Sequence, residues 1–144
     1  MKPKTYKPLV IWFIVFVVVM CVMPALLAFR IPDAHLTLVT ITCVYLGLLA
    51  LFLIIHAGGY VYWINGGPTY EQARDAGEQA RHLYSLEHLC RFALAGILWM
   101  IYMPFSIIND WTAWVDILAF GVIILGAARS TMHIKFAPSK EEQA

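Results

Sequence analysis

Two histidines lie at the ends of long apolar stretches of the chain, where their imidazoles could act as ligands of a cofactor. His56 closes one stretch and His88 opens the next. If the stretches are antiparallel helices, the two imidazoles lie at similar depth and could face each other. Two neutral imidazoles on facing helices are the ligands of a six-coordinate b-type haem. Haem b is therefore a cofactor that these residues allow, and the alternative is that the histidines simply meet water or lipid headgroups.

The segment that begins at His88 resembles the start of a helix in the cytochrome-b-type membrane anchors of dehydrogenases. In those anchors a histidine at the helix start precedes an apolar run that contains glycine, as in His88-Leu-Cys-Arg-Phe-Ala-Leu-Ala-Gly96. The resemblance implies an electron-transfer anchor in which Arg91 pairs with a haem propionate. It covers less than a tenth of the chain. The further histidines that those families usually carry inside other spans have no counterpart here.

Asp116 is the other candidate, because it lies inside an apolar stretch. An ionisable group within a span is a functional hypothesis by default, and this carboxylate could bind a proton or a cation as in small transporters. The alternative is an acidic residue near a helix start, which the helix dipole favours and interfacial water reaches. No charged residue occupies the middle of any apolar stretch. That pattern favours the second interpretation.

Other chemistries lack a supporting pattern. His82 and His88 are six residues apart and would point about 240° apart on a helix, so we expect no metal site. The chain has no GxSxG motif and no phosphate-binding glycine loop, which gives no support for a hydrolase or a nucleotide site. Its three cysteines form no CxxC pair and are expected to be small buried hydrophobes. The sequence thus favours a protein that is not an enzyme.

Four apolar helices must position these residues, with spans at about residues 9–29, 36–56, 87–108 and 111–128. Each has roughly the 20 residues that a helix needs to cross a bilayer. Hydrophobic residues make up 61% of the chain and charged residues 13%, which excludes an ordinary soluble domain. The net charge of +1 gives no reason to expect a nucleic-acid partner. We therefore predict one all-α integral membrane domain over residues 1–144, folded as a four-helix bundle.

Basic residues indicate the orientation of this bundle. Arg30 alone lies in the loop after the first span, whereas the other nine basic residues flank the termini and the long second loop. The positive-inside rule then places both termini in the cytoplasm, and we expect the cytoplasmic (inner) membrane. The short loops after the first and third spans predict two antiparallel hairpins.

The long loop should extend the third helix into the cytoplasm over residues 66–86. Asn65 to Pro68 form a firm stop, after which Thr69 and Gln72 can form a capping box. Nothing forces a break from there to about Met103, although Gly77 weakens the helix. One face is mildly apolar and could lie on the membrane surface or dock on a partner; its members are Tyr70, Ala73, Ala76, Ala80, Leu83 and Tyr84. The opposite face is charged and predicts ion pairs of Glu78 with Arg74 and Arg81.

Small residues form a stripe on one face of the second span, at Thr40, Cys43, Gly47 and Ala50. Small residues let helices approach closely in lipid, so the stripe predicts a contact with a helix of this chain, another subunit or a second copy. Short loops, this stripe and the lack of a buried polar site favour an accessory or scaffold subunit of a larger membrane complex. The alternatives are the haem-bearing anchor and a small transporter or channel that relies on Asp116 and the second-span threonines.

Overall fold

The structure, a computed structural model, describes residues 3–137, except for the side chains of residues 33 and 34. Over this range the chain is helical and contains no strand, as expected for the all-α class. The long helices are α1 (Lys7–Leu27), α2 (Asp33–Gly58), α4 (Gly77–Ile108) and α5 (Ala113–Thr131). Between α2 and α4 lie a 3₁₀ turn (Val61–Trp63) and the short helix α3 (Tyr70–Asp75). The four long helices are long and apolar enough to cross a membrane.

The core is built from three of the four long helices. α2, α4 and α5 pack against one another, whereas α1 contacts only α2 within residues 3–137. Leu38, Ile41 and Trp99 form the centre of the packing between α2 and α4, and Phe120 of α5 packs against them. The predicted bundle of four helices around one core is therefore not what the described chain forms. The physical reason is that α1 carries large apolar side chains on all sides and no stripe of small residues, so no face of it is marked for burial.

The predicted continuous third helix is interrupted at its polar end. Gly77 has a φ of +79°, in the left-handed region that glycine adopts without strain. This residue separates α3 from α4 and turns α3 back toward the 3₁₀ turn. The capping box at the start of α3 is confirmed. Thr69 Oγ1 accepts a hydrogen bond from the backbone amide of Gln72, and Gln72 Oε1 accepts one from the backbone amide of Thr69.

Next to the start of α4 the chain forms a small folded unit, here called the cap, which consists of residues 60–76 and 134–136. Val61 and Ala73 of the cap form a buried centre with Tyr84 of α4, and Ile134 and Phe136 pack on them. The N-terminus joins it, since the Tyr62 hydroxyl bonds to both the backbone amide and the carbonyl of Thr5. Much of the predicted apolar face therefore docks on this chain itself.

Three details of that amphipathic segment differ from the sequence prediction. Leu83 is 56% exposed rather than part of the docked face. Arg81 is only 8% exposed, and its guanidinium donates to the Ala73 carbonyl at 2.8 Å instead of lying on the charged face. The predicted pairs are replaced by Arg74 with Asp75 at 2.8 Å and Glu78 with His82 at 3.4 Å. The hydrogen bond that Arg74 donates to the Asp75 carboxylate raises the pKa of the exposed Arg74 guanidinium.

Candidate functional site

Asp116 lies in the first turn of α5 and faces α4. Its Oδ1 accepts a hydrogen bond from the Tyr102 hydroxyl at 2.7 Å and another from the Ser106 hydroxyl at 2.6 Å. The two donors are four residues apart on α4, so they share the face that meets α5. The loop between the helices spans only residues 109–112. The short loop therefore brings the end of α4 directly beside the start of α5.

The second carboxyl oxygen of Asp116 has no partner among the described residues. The side chain is 0% exposed, and Oδ2 is a buried atom without a hydrogen bond. Buried polar atoms in folded proteins are nearly always satisfied, so an exception calls for a specific explanation. The expectation that interfacial water reaches this acid is wrong, because the packing of α4 on α5 removes it from solvent. Asp116 is thus the buried polar site that the sequence seemed to lack.

A second polar contact joins α4 to α2, closer to the middle of α4. The Trp99 indole donates to Thr42 Oγ1 at 3.0 Å, and Thr42 donates to the Leu38 carbonyl within α2 at 2.8 Å. Tyr102 stacks on Trp99 with ring centroids 5.2 Å apart. Thr42, Trp99, Tyr102, Ser106 and Asp116 therefore form one cluster across α2, α4 and α5, here called the polar cluster.

Sequence reasoning found Asp116 but missed its partners. Tyr102, Trp99 and Ser106 belong to no motif in the sequence. One signal was available, because a four-residue loop places residues 102–106 opposite the start of the next helix. Two hydroxyl residues at a spacing of four, facing a carboxylate across a short hairpin, predict a hydrogen-bonded contact.

The two candidate haem ligands lie at the cap side of α2 and α4, in different surroundings. The Nδ1 atom of His56 is 2.9 Å from the Ser85 hydroxyl, and the imidazole lies edge-on to His82 with centroids 5.1 Å apart. The Nδ1 atom of His88 is 2.9 Å from the Tyr84 carbonyl. The ring of His56 contacts the ring of His82, and none of the ring contacts in the described range joins His56 to His88.

The surroundings of His88 bear on the haem hypothesis. Its imidazole is 4% exposed and lies against Tyr84 and Phe52, with ring centroids 4.5 Å and 6.5 Å away. A hydrogen bond from Nδ1 to a carbonyl is typical of metal-ligating histidines and leaves Nε2 for the metal. However, aromatic side chains of the chain itself already occupy the space beside this ring. Arg91 is exposed and forms no ion pair within residues 3–137. A shared haem between His56 and His88 stays a prediction.

The small-residue stripe contacts α1 of the same chain. Cys43, Gly47 and Ala50 line a groove of about 640 Å³ between α1 and α2. Phe16 covers Gly47 so closely that a Cβ there would collide with its ring. The Trp12 indole also donates to the Gly47 carbonyl at 3.1 Å. Thr40 is not part of this lining and bonds its own helix, at the Leu36 carbonyl.

Metal-ion chemistry has no cluster to support it in the part of the chain that is described. No three histidine, cysteine, aspartate or glutamate side chains between residues 3 and 137 come together as a metal site. The three cysteines are free there, and Cys21 and Cys90 are exposed on the apolar helices rather than buried as expected. Comparisons with protein-family models, with curated proteins and with solved structures find no match to this chain, so its function is argued from its own residues.

Proposed function

We propose that this protein is a small, non-catalytic accessory or scaffold subunit of a larger membrane assembly, and that α1 supplies the contact with a partner subunit. The observation that carries the proposal is that α1, the most apolar of the four long helices, contains no buried residue. Among the described helices it contacts α2 alone. A helix that contributes so little to the packing of its own chain is available to pack against another. The small-residue stripe no longer supports the proposal, since α1 covers it.

The orientation is part of this proposal. Apart from Arg30 and from Arg91, which lies near the middle of α4, the described basic residues belong to the cap, to the segments that join it, or to the ends of helices beside it; they are Lys4, Lys7, Arg74, Arg81, Arg129 and Lys135. An excess of basic residues favours the cytoplasmic side. The cap and both termini then face the cytoplasm, and Asp116 lies near the outer surface of the inner membrane.

Site-specific photo-crosslinking in native membranes tests the partner contact. A photoreactive residue replaces Ile14, which is 57% exposed on α1, and in a matched variant it replaces Val122, which is 71% exposed on α5. We expect one discrete adduct with a different membrane polypeptide from position 14 and none from position 122. Replacing α1 by an unrelated apolar helix should abolish the adduct.

Two results would contradict the accessory role. Equal, diffuse adducts with lipid from both positions would mean that α1 merely faces the bilayer. An adduct at twice the 16.3 kDa mass of the chain would mean self-association instead of a partner subunit.

The unpartnered Oδ2 of Asp116 favours a second candidate, a small transporter or channel that binds a proton or a cation at this carboxyl. An ionisable side chain buried in a span generally marks an ion pathway or a proton relay. Ion flux into proteoliposomes tests it. Asp116→Asn should abolish flux, whereas Asp110→Asn, in the exposed adjoining loop, should leave it unchanged. Equal flux in both variants would rule this role out.

The haem anchor is tested by a reduced-minus-oxidised visible spectrum of the purified protein after haem supplementation. A sharp α-band that disappears in His88→Ala and in His56→Ala would support a bis-imidazole haem and displace the accessory role. A flat spectrum would eliminate it.

A further inference from the structure

The groove between α1 and α2 has a shape that follows from a few contacts. Phe16 lies on Gly47, and Trp12 is tied to the Gly47 carbonyl. The resulting groove, about 640 Å³ in volume, is lined by α1 from Lys7 to Val19 and by α2 from Cys43 to Ile54. Its lining is apolar throughout except at Lys7.

The dimensions of the groove restrict its occupant. From Lys7 to Val19 α1 rises about 18 Å, slightly more than one leaflet of a hydrocarbon core about 30 Å thick. A hydrocarbon chain that crosses one leaflet has about this length, so the length of the groove and its apolar lining suit an extended acyl chain.

The cap end of the groove is positively charged. Lys7 lines the groove and also an adjoining cavity of about 680 Å³, which contains Lys4. The backbone here is held in place, because Thr5 is bonded at its amide and its carbonyl to the Tyr62 hydroxyl and Tyr6 stacks on Trp63. Neither lysine forms an ion pair with another residue of the described range. Two unpaired ammonium groups thus stand where the apolar groove meets the headgroup region.

We propose that this groove is a binding site for an anionic phospholipid, with an acyl chain between α1 and α2 and the headgroup phosphate at Lys4 and Lys7. Basic residues beside an apolar cleft attract anionic headgroups, and two lysines near the surface favour them over zwitterionic headgroups by roughly tenfold or more. The bound chain fills the space that α1 and α2 leave open, so the lipid completes the packing of the most weakly held helix.

Native mass spectrometry of the full-length, delipidated protein in mild detergent tests the proposal. The probes are phosphatidylglycerol and phosphatidylcholine with identical acyl chains, titrated separately. We expect one molecule of phosphatidylglycerol to bind about tenfold more tightly than phosphatidylcholine. The double variant Lys4→Gln/Lys7→Gln should lower phosphatidylglycerol binding to the phosphatidylcholine level. The control Lys135→Gln removes the same charge from an exposed residue outside the groove and should change nothing.

A second variant tests the acyl-chain position. Ala50→Phe places a ring in the groove and should weaken both lipids, with the melting temperature showing that the variant is folded. Equal binding of the two lipids, or a preference that survives Lys4→Gln/Lys7→Gln, would overturn the headgroup site. Lipid binding unchanged in folded Ala50→Phe would overturn the acyl-chain site. None of these outcomes depends on whether a partner subunit exists.

Discussion

The two hairpins of this chain, α1–α2 and α4–α5, are built alike but pack differently. Each joins two apolar helices through a short loop, residues 28–32 in one and 109–112 in the other. Yet α4 and α5 enclose a fully buried carboxyl with two hydroxyl donors, whereas α1 and α2 leave an open groove. In lipid, apolar surface gains little by meeting another apolar surface, so packing depends on close approach and on polar contacts. The comparison shows how much of the packing of this fold depends on a few polar atoms.

The largest expected effect is the loss of the carboxyl at the α4–α5 contact. Asp116→Ala leaves the hydroxyls of Tyr102 and Ser106 without their acceptor, and we expect a loss of about 3 kcal/mol in the free energy of unfolding. Unfolding of the protein in bicelles or mild detergent measures it. Asp110→Ala, in the exposed loop beside it, is the control and should stay within about 0.5 kcal/mol of the wild type. Equal losses for both variants would refute the role of this contact in stability.

The two donors should each contribute part of that effect. Tyr102→Phe and Ser106→Ala each remove one hydrogen bond to Oδ1, and each should cost about 1–2 kcal/mol. Because both hydroxyls act on the same oxygen, the double variant should not equal the sum of the single variants. Strict additivity in such a double-mutant cycle would mean that the two contacts are independent.

At the α1–α2 contact, a substitution of Gly47 should have the largest effect on the free energy of unfolding. In Gly47→Ala the new methyl group meets the ring of Phe16, so α1 must shift, and we expect a loss of about 1 kcal/mol. Gly126→Ala on α5 is the matched control, because nothing lies within 4 Å of its added methyl group. It should instead stabilise the helix, by up to about 1 kcal/mol. Thermal unfolding of both variants checks the sign, and a stabilised Gly47→Ala would show that Phe16 does not lie on α2.

The smallest effect should come from the hydrogen bond that Trp12 of α1 donates to Gly47 of α2. Trp12→Phe keeps an aromatic ring but removes the donor to the Gly47 carbonyl, and hydrogen bonds between membrane helices contribute about 0.6 kcal/mol on average. We expect a loss of that order, measurable as a small shift of the unfolding midpoint. A loss as large as that of Asp116→Ala would erase the contrast between the two hairpins.

The sequence was sufficient for the parts of the fold that depend on local patterns. Four apolar helices, the all-α class and the capping box at Thr69 follow from composition and spacing, and the structure confirms them. The break at Gly77 does not follow, because a single glycine costs a helix only about 1 kcal/mol and tertiary packing decides whether it is tolerated. The exclusion of α1 from the core also could not be predicted. An apolar helix face can pack against lipid or against protein, and hydropathy does not tell which of the two it contacts.

The candidate site was predicted only in part. Asp116 stood out because charge is rare in spans, but its burial depends on Tyr102 and Ser106, which carry no signal in isolation. Arg81 was placed on a solvated face by helical periodicity, and the turn at Gly77 instead brings the Ala73 carbonyl within its reach. Such contacts arise where the chain changes direction, which periodicity does not describe.

The composition of the cap has a consequence for the synthesis of the protein. Val61, Ala73 and Tyr84 precede the last two-fifths of the chain, but Ile134 and Phe136, which cover them, emerge from the ribosome only after α5. The cap therefore cannot close until every span has been made. A chain that stopped before residue 134 would leave this apolar surface open to proteases, so protection of the cap depends on synthesis of the segment that follows α5.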